Sequence, residues 1–303
     1  MGSTHASAVT RNQAARPAGR GLLITIGLTS TIMVAEFAGG LLTNSLALLS
    51  DAGHMLTDVL ALGMAWFAVA VSRRPATSRK TWGWHRIEIL TALINGVLLV
   101  LICFAIAYEA WDRFRAPQPV AGGFVILIAS IGLAVDLCGV WFLSRTSDSV
   151  NVRSARMHLA GDALSSAGVI FAGGVIAATS WTRIDSLVSF GIALVILVGA
   201  WRLIRETVDI LLEGVPHNID PDDVNRELAR LPGVRQVHDL HIWCITSGMA
   251  ALSGHVVLDE PSLARSDDVL NGIKEMLRER FGIDHTTIQI ESESYTEVGE
   301  VHQ

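Results

Sequence analysis

Six stretches of this chain are long and apolar enough to require a helix bathed in lipid or buried in protein. They run over residues 21–42, 46–71, 88–110, 121–143, 157–179 and 185–204, and each meets the need for about 20 residues to cross the hydrocarbon of a bilayer. Inside lipid no water satisfies the backbone amides, so such runs have to close their hydrogen bonds within themselves. Only 17% of the 303 residues are charged, against roughly a quarter in a soluble domain, and the charges gather outside these runs. From Glu206 onward charges become frequent and apolar residues alternate with polar ones. The expected fold is an all-α membrane bundle of six transmembrane helices over 21–206, with a disordered tail over 1–20 and a soluble α+β domain over 207–303. The basic start lacks the cleavage site of a signal peptide, and Ala6 stands where a myristoylation signal takes Ser or Thr.

Positive charge is placed rather than spread. Arg11, Arg16 and Arg20 precede the first run, Arg73, Arg74, Arg79, Lys80 and Arg86 fill the second connection, and Arg145, Arg153 and Arg156 fill the fourth. The remaining connections carry Arg113, Arg115 and Arg183 or nothing, so the positive-inside bias puts both termini and the soluble domain in the cytoplasm. Asn44 is expected to form the turn of the short first connection. Cys103, Cys138 and Cys244 give neither a disulfide framework nor a CxxC pair.

Two runs are interrupted in the same way. "SDAGHMLTD" places His54 and Asp58 in the second, and "MHLAGDALSSAG" places His158 and Asp162 in the fifth. In a helix, positions i and i+4 share a face, so each pair sets an imidazole above a carboxylate. Two such faces meeting would supply two nitrogens and two oxygens, the ligand number and type that tetrahedral Zn2+ takes. Cd2+ and Co2+ are lesser possibilities. Polar contacts between helices would also use such residues. A mid-bilayer Asp, however, costs about 2.5–3.5 kcal/mol on insertion scales, and intramembrane charges mark ion pathways. Metal binds only the neutral imidazole and the ionised carboxylate, so metal and protons compete for such a site. Glu36, Glu109 and Asp136 either line an aqueous approach or carry protons, or they pair within the bundle.

In the tail, Asp220 and Pro221 open a helix, "VRQVHDLHIWCI" and "MAALSGHVVLD" alternate as strands around a turn at Ser247 and Gly248, a second helix ends at Gly282, and "HTTIQIES" closes as a strand. This α-β-β-α-β order predicts two helices over one sheet face. His241 and His255 fall on neighbouring strands, with Glu291 or His285 close by, and either ligate a metal or are polar surface. No nucleic-acid module or basic stripe is present.

Taken together, "NSLALLSDAGHMLTD", "WGWHRIEIL", "MHLAGDALSSAG" and "HDLHIW…SGHV…HTTIQIES" resemble the cation diffusion facilitator family, in its zinc-transporting branch, over nearly the whole chain. The resemblance implies a homodimer in which His54, Asp58, His158 and Asp162 form a Zn2+ transport site coupled to protons by alternating access. It implies a ferredoxin-like, metallochaperone-like tail that binds regulatory zinc through His241, His255 and Glu291, with His85 and His285 at a variable site between membrane and tail. Two departures are visible: "SRTSDSVNVRSAR" has no histidine where many zinc members carry a His-rich loop, and the tail has no terminal cysteine pair.

The expected function is therefore a proton-coupled antiporter exporting Zn2+ from the cytoplasm, most simply across a bacterial inner membrane. A membrane-anchored metal sensor without transport is the alternative. An intramembrane metalloenzyme is disfavoured, because no H-E-x-x-H or nucleophile constellation occurs and four protein ligands leave no position for water.

Overall fold

A computed structural model describes residues 19–144 and 150–295. Six long helices come first: α1 Gly19–Thr43, α2 Leu46–Ser72, α3 Ile87–Arg115, α4 Gly122–Ser144, α5 Val150–Thr179 and α6 Arg183–Leu211. Among the described residues, five stretches are long and apolar enough to cross a membrane, namely Leu46–Ser72, Ile87–Arg115, Gly122–Trp141, Leu159–Thr179 and Arg183–Leu211. The first apolar run corresponds to α1, whose opening side chains lie outside the described residues. So does most of the tail expected over 1–20, although Gly19 and Arg20 are already helical. Several helices outrun their apolar stretches: α3 continues to Arg115, and α5 begins at Val150, ahead of Arg153 and Arg156. A helix satisfies its own backbone and has no reason to stop at the edge of an apolar run.

The chain packs as two units, 1–63 with 97–200 and 64–96 with 201–303. Helices α2, α3 and α6 each run from one unit into the other. In the first unit Ala47, Leu48, Cys103, Val125, Ala129, Val169, Ile192 and Ile196 form the core. Large apolar side chains such as Leu42, Tyr108, Leu164 and Val195 are more than half exposed, as lipid-facing positions would be. The α1–α2 turn is made by Asn44 at φ 56°, a left-handed conformation that Asn tolerates. Arg113 Nη1 donates to the Asn44 carbonyl at 2.8 Å.

Helices α4 and α5 approach closely through glycines. A Cβ at Gly122 would lie 2.7 Å from the Gly173 carbonyl oxygen and 3.0 Å from the Ala177 nitrogen, and neither backbone atom can swing away. Gly122→Ala is expected to cost about 1–3 kcal/mol by overpacking, seen as a lowered unfolding midpoint in micelles. Gly123→Ala, whose Cβ meets nothing within 4 Å, serves as the control.

In the second unit α7 Pro221–Ala229 is capped by Asp220, whose side chain accepts from the Asp222 N–H. Strands β1 Val234–Thr246 and β2 Met249–Leu258 pair antiparallel about the Ser247–Gly248 turn. The one-turn α8 Glu260–Leu263, α9 Ser266–Phe281 and β3 Ile283–Ser292 follow, with β3 parallel to β2 and the sheet order β1-β2-β3. Gly282 ends α9 in the left-handed conformation at φ 68°, the usual glycine stop. The α-β-β-α-β order read from the tail is thus present, with α8 added. Side chains alternate along β2: Leu252, Val256 and Leu258 join Val224 and Leu228 of α7 and Ile273 and Leu277 of α9 in one core. Full burial of a residue such as Leu228 contributes roughly 1.5–3 kcal/mol. Ser253, His255 and Val257 consequently fall on the opposite face.

Candidate metal centre

The first unit brings the two interrupted helices together. His54 and Asp58 lie one turn apart on α2, with His54 Nε2 3.9 Å from Asp58 Oδ2. Asp162 on α5 meets them, its Oδ1 3.5 Å from His54 Nε2. One ligand atom from each of His54, Asp58 and Asp162 lies within 4.8 Å of the others. All three are half-buried and line a cavity of about 550 Å³ with Ser165, Leu99 and Met157. The donor set suits a divalent metal ion: one imidazole nitrogen and two carboxylate oxygens are ligands that Zn2+ takes. The fourth expected ligand, His158, is on α5 one turn before Asp162, and its side chain lies outside the described residues.

Two buried acids that sequence reasoning did not single out hold this arrangement. Asp51, on α2, accepts from Ser165 Oγ at 2.7 Å and Ser166 Oγ at 3.3 Å, tying α2 to α5 one turn from His54. The signal was present, since Asp51, His54 and Asp58 share a helical face by spacing. Asp185, at the start of α6, caps α2 from outside it. Its carboxylate accepts from Ser45 Oγ at 2.6 Å, the Leu46 N–H at 2.6 Å and the Ala47 N–H at 3.3 Å. No local pattern announces a cap donated from 139 residues away. Glu109 pairs within its own helix, accepting from Arg113 Nε at 2.8 Å.

The second unit holds another group of three: His238, His255 and Glu291. Glu291 is buried, and its carboxylate bridges the two imidazoles, with Oε2 3.1 Å from His238 Nε2 and Oε1 3.0 Å from His255 Nδ1. Gln289 Nε2 donates to Oε1 at 2.8 Å. The expected set had His241 in place of His238. The two-residue turn at Ser247–Gly248 fixes the register so that His241 opposes Ser253, and an irregularity between His238 and His241 brings His238 opposite His255. Asp239, at φ 49° in that irregularity, accepts from exposed His241 with its Oδ1 3.0 Å from Nε2.

His85 and His285 each neighbour Trp82. His285 stands edge-on to that indole, ring centroids 5.2 Å apart at 87°, and His85 lines a cavity with Trp82, Arg86 and Glu213. Among the described residues they join no group of three ligands. Burial pushes the Cys244 thiol above its ordinary value, which keeps it protonated and a poor ligand.

If His238, His255 and Glu291 hold a zinc ion, then in the full-length protein His255→Ala is expected to remove one bound zinc per chain while His241→Ala leaves the count unchanged. Metal analysis after equilibrium dialysis checks this, and equal loss in both variants would show that the register does not choose the ligands.

Residues 22–212 match the family described as cation efflux transmembrane domain, and residues 216–293 match the cation efflux protein, cytoplasmic domain. The chain is 41% identical over 273 residues to the metal cation efflux system protein CzcD of Cupriavidus metallidurans, covering 90% of this chain and 86% of that one. It is 42% identical over 275 residues to the zinc transporter ZitB of Escherichia coli, covering 90% and 87%. To the cadmium, cobalt and zinc/H(+)-K(+) antiporter of Bacillus subtilis it is 41% identical over 278 residues, covering 90% and 89%. The solved metal-bound C-terminal domain of the CzcD transporter is 44% identical and matches 24% of this chain and 99% of its own, with a TM-score of 0.23.

Proposed function

We propose, from the premise that this chain belongs to the cation efflux family of membrane metal transporters, that it exports Zn2+ from the cytoplasm in exchange for protons. The metal sits between α2 and α5, held by His54, Asp58, Asp162 and His158. The observation that carries this reading is the convergence of His54, Asp58 and Asp162 from two membrane-length helices. Relatives named for zinc, and for cadmium and cobalt beside it, support Zn2+ as cargo with Cd2+ and Co2+ as lesser substrates.

Protonation and metal binding exclude each other at this site, because an imidazole that has taken a proton has no lone pair to give. Zinc affinity is therefore highest on a neutral or alkaline side and falls as pH drops through the histidine range. A site opening to each side in turn would release zinc where protons are more abundant. The chain divides into a six-span bundle over 21–206 and a cytoplasmic domain over 207–303. It works as a homodimer in a bacterial inner membrane, with both termini inside. Zinc at His238, His255 and Glu291 regulates it.

The test is a proteoliposome assay with a zinc dye and a pH dye on opposite sides. Antiport moves zinc one way and protons the other. Tight zinc binding with no flux would instead identify a sensor.

A further inference from the structure

Glu36 is the least explained side chain in the first unit. It lies on α1, is 1% exposed, and its Oε2 has no hydrogen-bond partner. Its other oxygen fills the notch left by a glycine: a Cβ at Gly132 of α4 would lie 2.4 Å from Glu36 Oε1 and 3.6 Å from Ser166 Oγ of α5. Ser166 in turn donates to Asp51 of α2. Asp136, buried and one turn along α4 from Gly132, completes the surroundings. The charged groups that act on Glu36 are Asp51, Asp136 and Asp162, all acidic, and His54 faces Asp51. Among the described residues no Lys or Arg pairs with Glu36, Asp51 or Asp136.

A carboxylate oxygen buried without a partner is costly unless positive charge accompanies it, either as a proton on the oxygen or as a cation beside it. Among the described residues, Glu36, Asp51 and Asp136 do not form a group of three ligand atoms within 4.8 Å. They therefore build no three-carboxylate cage for a divalent ion, whereas a proton needs a single oxygen and a K+ would also draw on neighbouring hydroxyl and carbonyl oxygens. An all-oxygen surrounding suits a hard cation. We infer that Glu36, seated against Gly132 and flanked by Ser166, Asp51 and Asp136, is a second cation position holding one monovalent cation, a proton or K+, apart from the metal ligands. Zinc arriving beside Asp162 raises the local positive potential and expels that cation. This rests on the exchange reading above and adds the place where one counter-cation is carried.

The test counts counter-cations per zinc in proteoliposomes of the full chain, with a pH dye in one arm and a K+ indicator in the other, choline replacing K+ in the controls. In Glu36→Gln, which keeps the shape and removes the charge, the number of monovalent cations per zinc is expected to fall by one. The arm in which it falls identifies the ion. Gly132→Ala, which pushes a methyl against Oε1 without touching any charge, is expected to do the same and serves if Glu36→Gln does not assemble. A wild-type ratio in either assembled variant overturns the assignment. Zinc flux in the wild type without any counter-flux would instead sink the exchange reading itself.

Discussion

Asp162→Ala is expected to abolish zinc transport in proteoliposomes and to weaken zinc binding at the membrane site by at least about 100-fold. Losing a group that merely orients a ligand typically costs 10–100-fold in metal affinity, and Asp162 is placed to touch the ion itself. Its Oδ1 stands nearest His54 Nε2 and closes the group that Asp58 shares. The variant leaves His54 facing Asp58 alone, two donors on one helix with nothing opposite from α5 among the described side chains. A hundredfold loss corresponds to about 2.8 kcal/mol. Zinc bound at His238, His255 and Glu291 is expected to persist, so total zinc per chain falls by one instead of to zero. Wild-type flux in this variant would remove the site assignment.

The second large effect is on folding. Asp185→Ala is expected to lower stability in micelles by roughly 3–6 kcal/mol. It strands the Ser45 hydroxyl and the Leu46 and Ala47 N–H groups in a buried setting, where each unpaired donor costs about 1–3 kcal/mol. The three contacts all lie at the N-terminus of α2, the end at which a carboxylate also meets the helix dipole favourably. Asp185→Asn retains one acceptor oxygen and is expected to lose less. Because α2 carries His54 and Asp58, zinc affinity should weaken in Asp185→Ala as well, though less than in Asp162→Ala. Denaturant unfolding followed by tryptophan fluorescence checks the order, alanine worst, asparagine between. Equal stability in all three proteins would mean that α2 is not capped from α6.

Much of this was legible because membrane and metal both impose strict local patterns. Apolar length marks the long helices among the described residues, and the H-x-x-x-D spacing sets His54 and Asp58 on one face of α2 and His158 and Asp162 on one face of α5, but that the two faces meet is decided by packing. In the tail, Asp220, the Ser247–Gly248 turn and Gly282 fixed element boundaries through local backbone chemistry. What escaped was set by tertiary partners. Asp185 reads as an ordinary charge at a helix start, and only the fold reveals the three donors it serves. Strict alternation would set His238 and His241, three residues apart, on opposite faces of β1, and the irregularity between them, which brings His238 opposite His255, is not announced by the strand pattern. Glu36 was visible as an intramembrane acid, but its solitude depends on Gly132 from another helix.

The central claim is that α2 and α5 jointly hold a divalent ion within the membrane bundle. Anomalous scattering from the zinc-loaded full-length protein tests it most directly. The expected result is a zinc peak about 2.0–2.2 Å from a His54 nitrogen and from carboxylate oxygens of Asp58 and Asp162. Zinc found at His238, His255 and Glu291 with none between α2 and α5, at concentrations that drive transport, would contradict it.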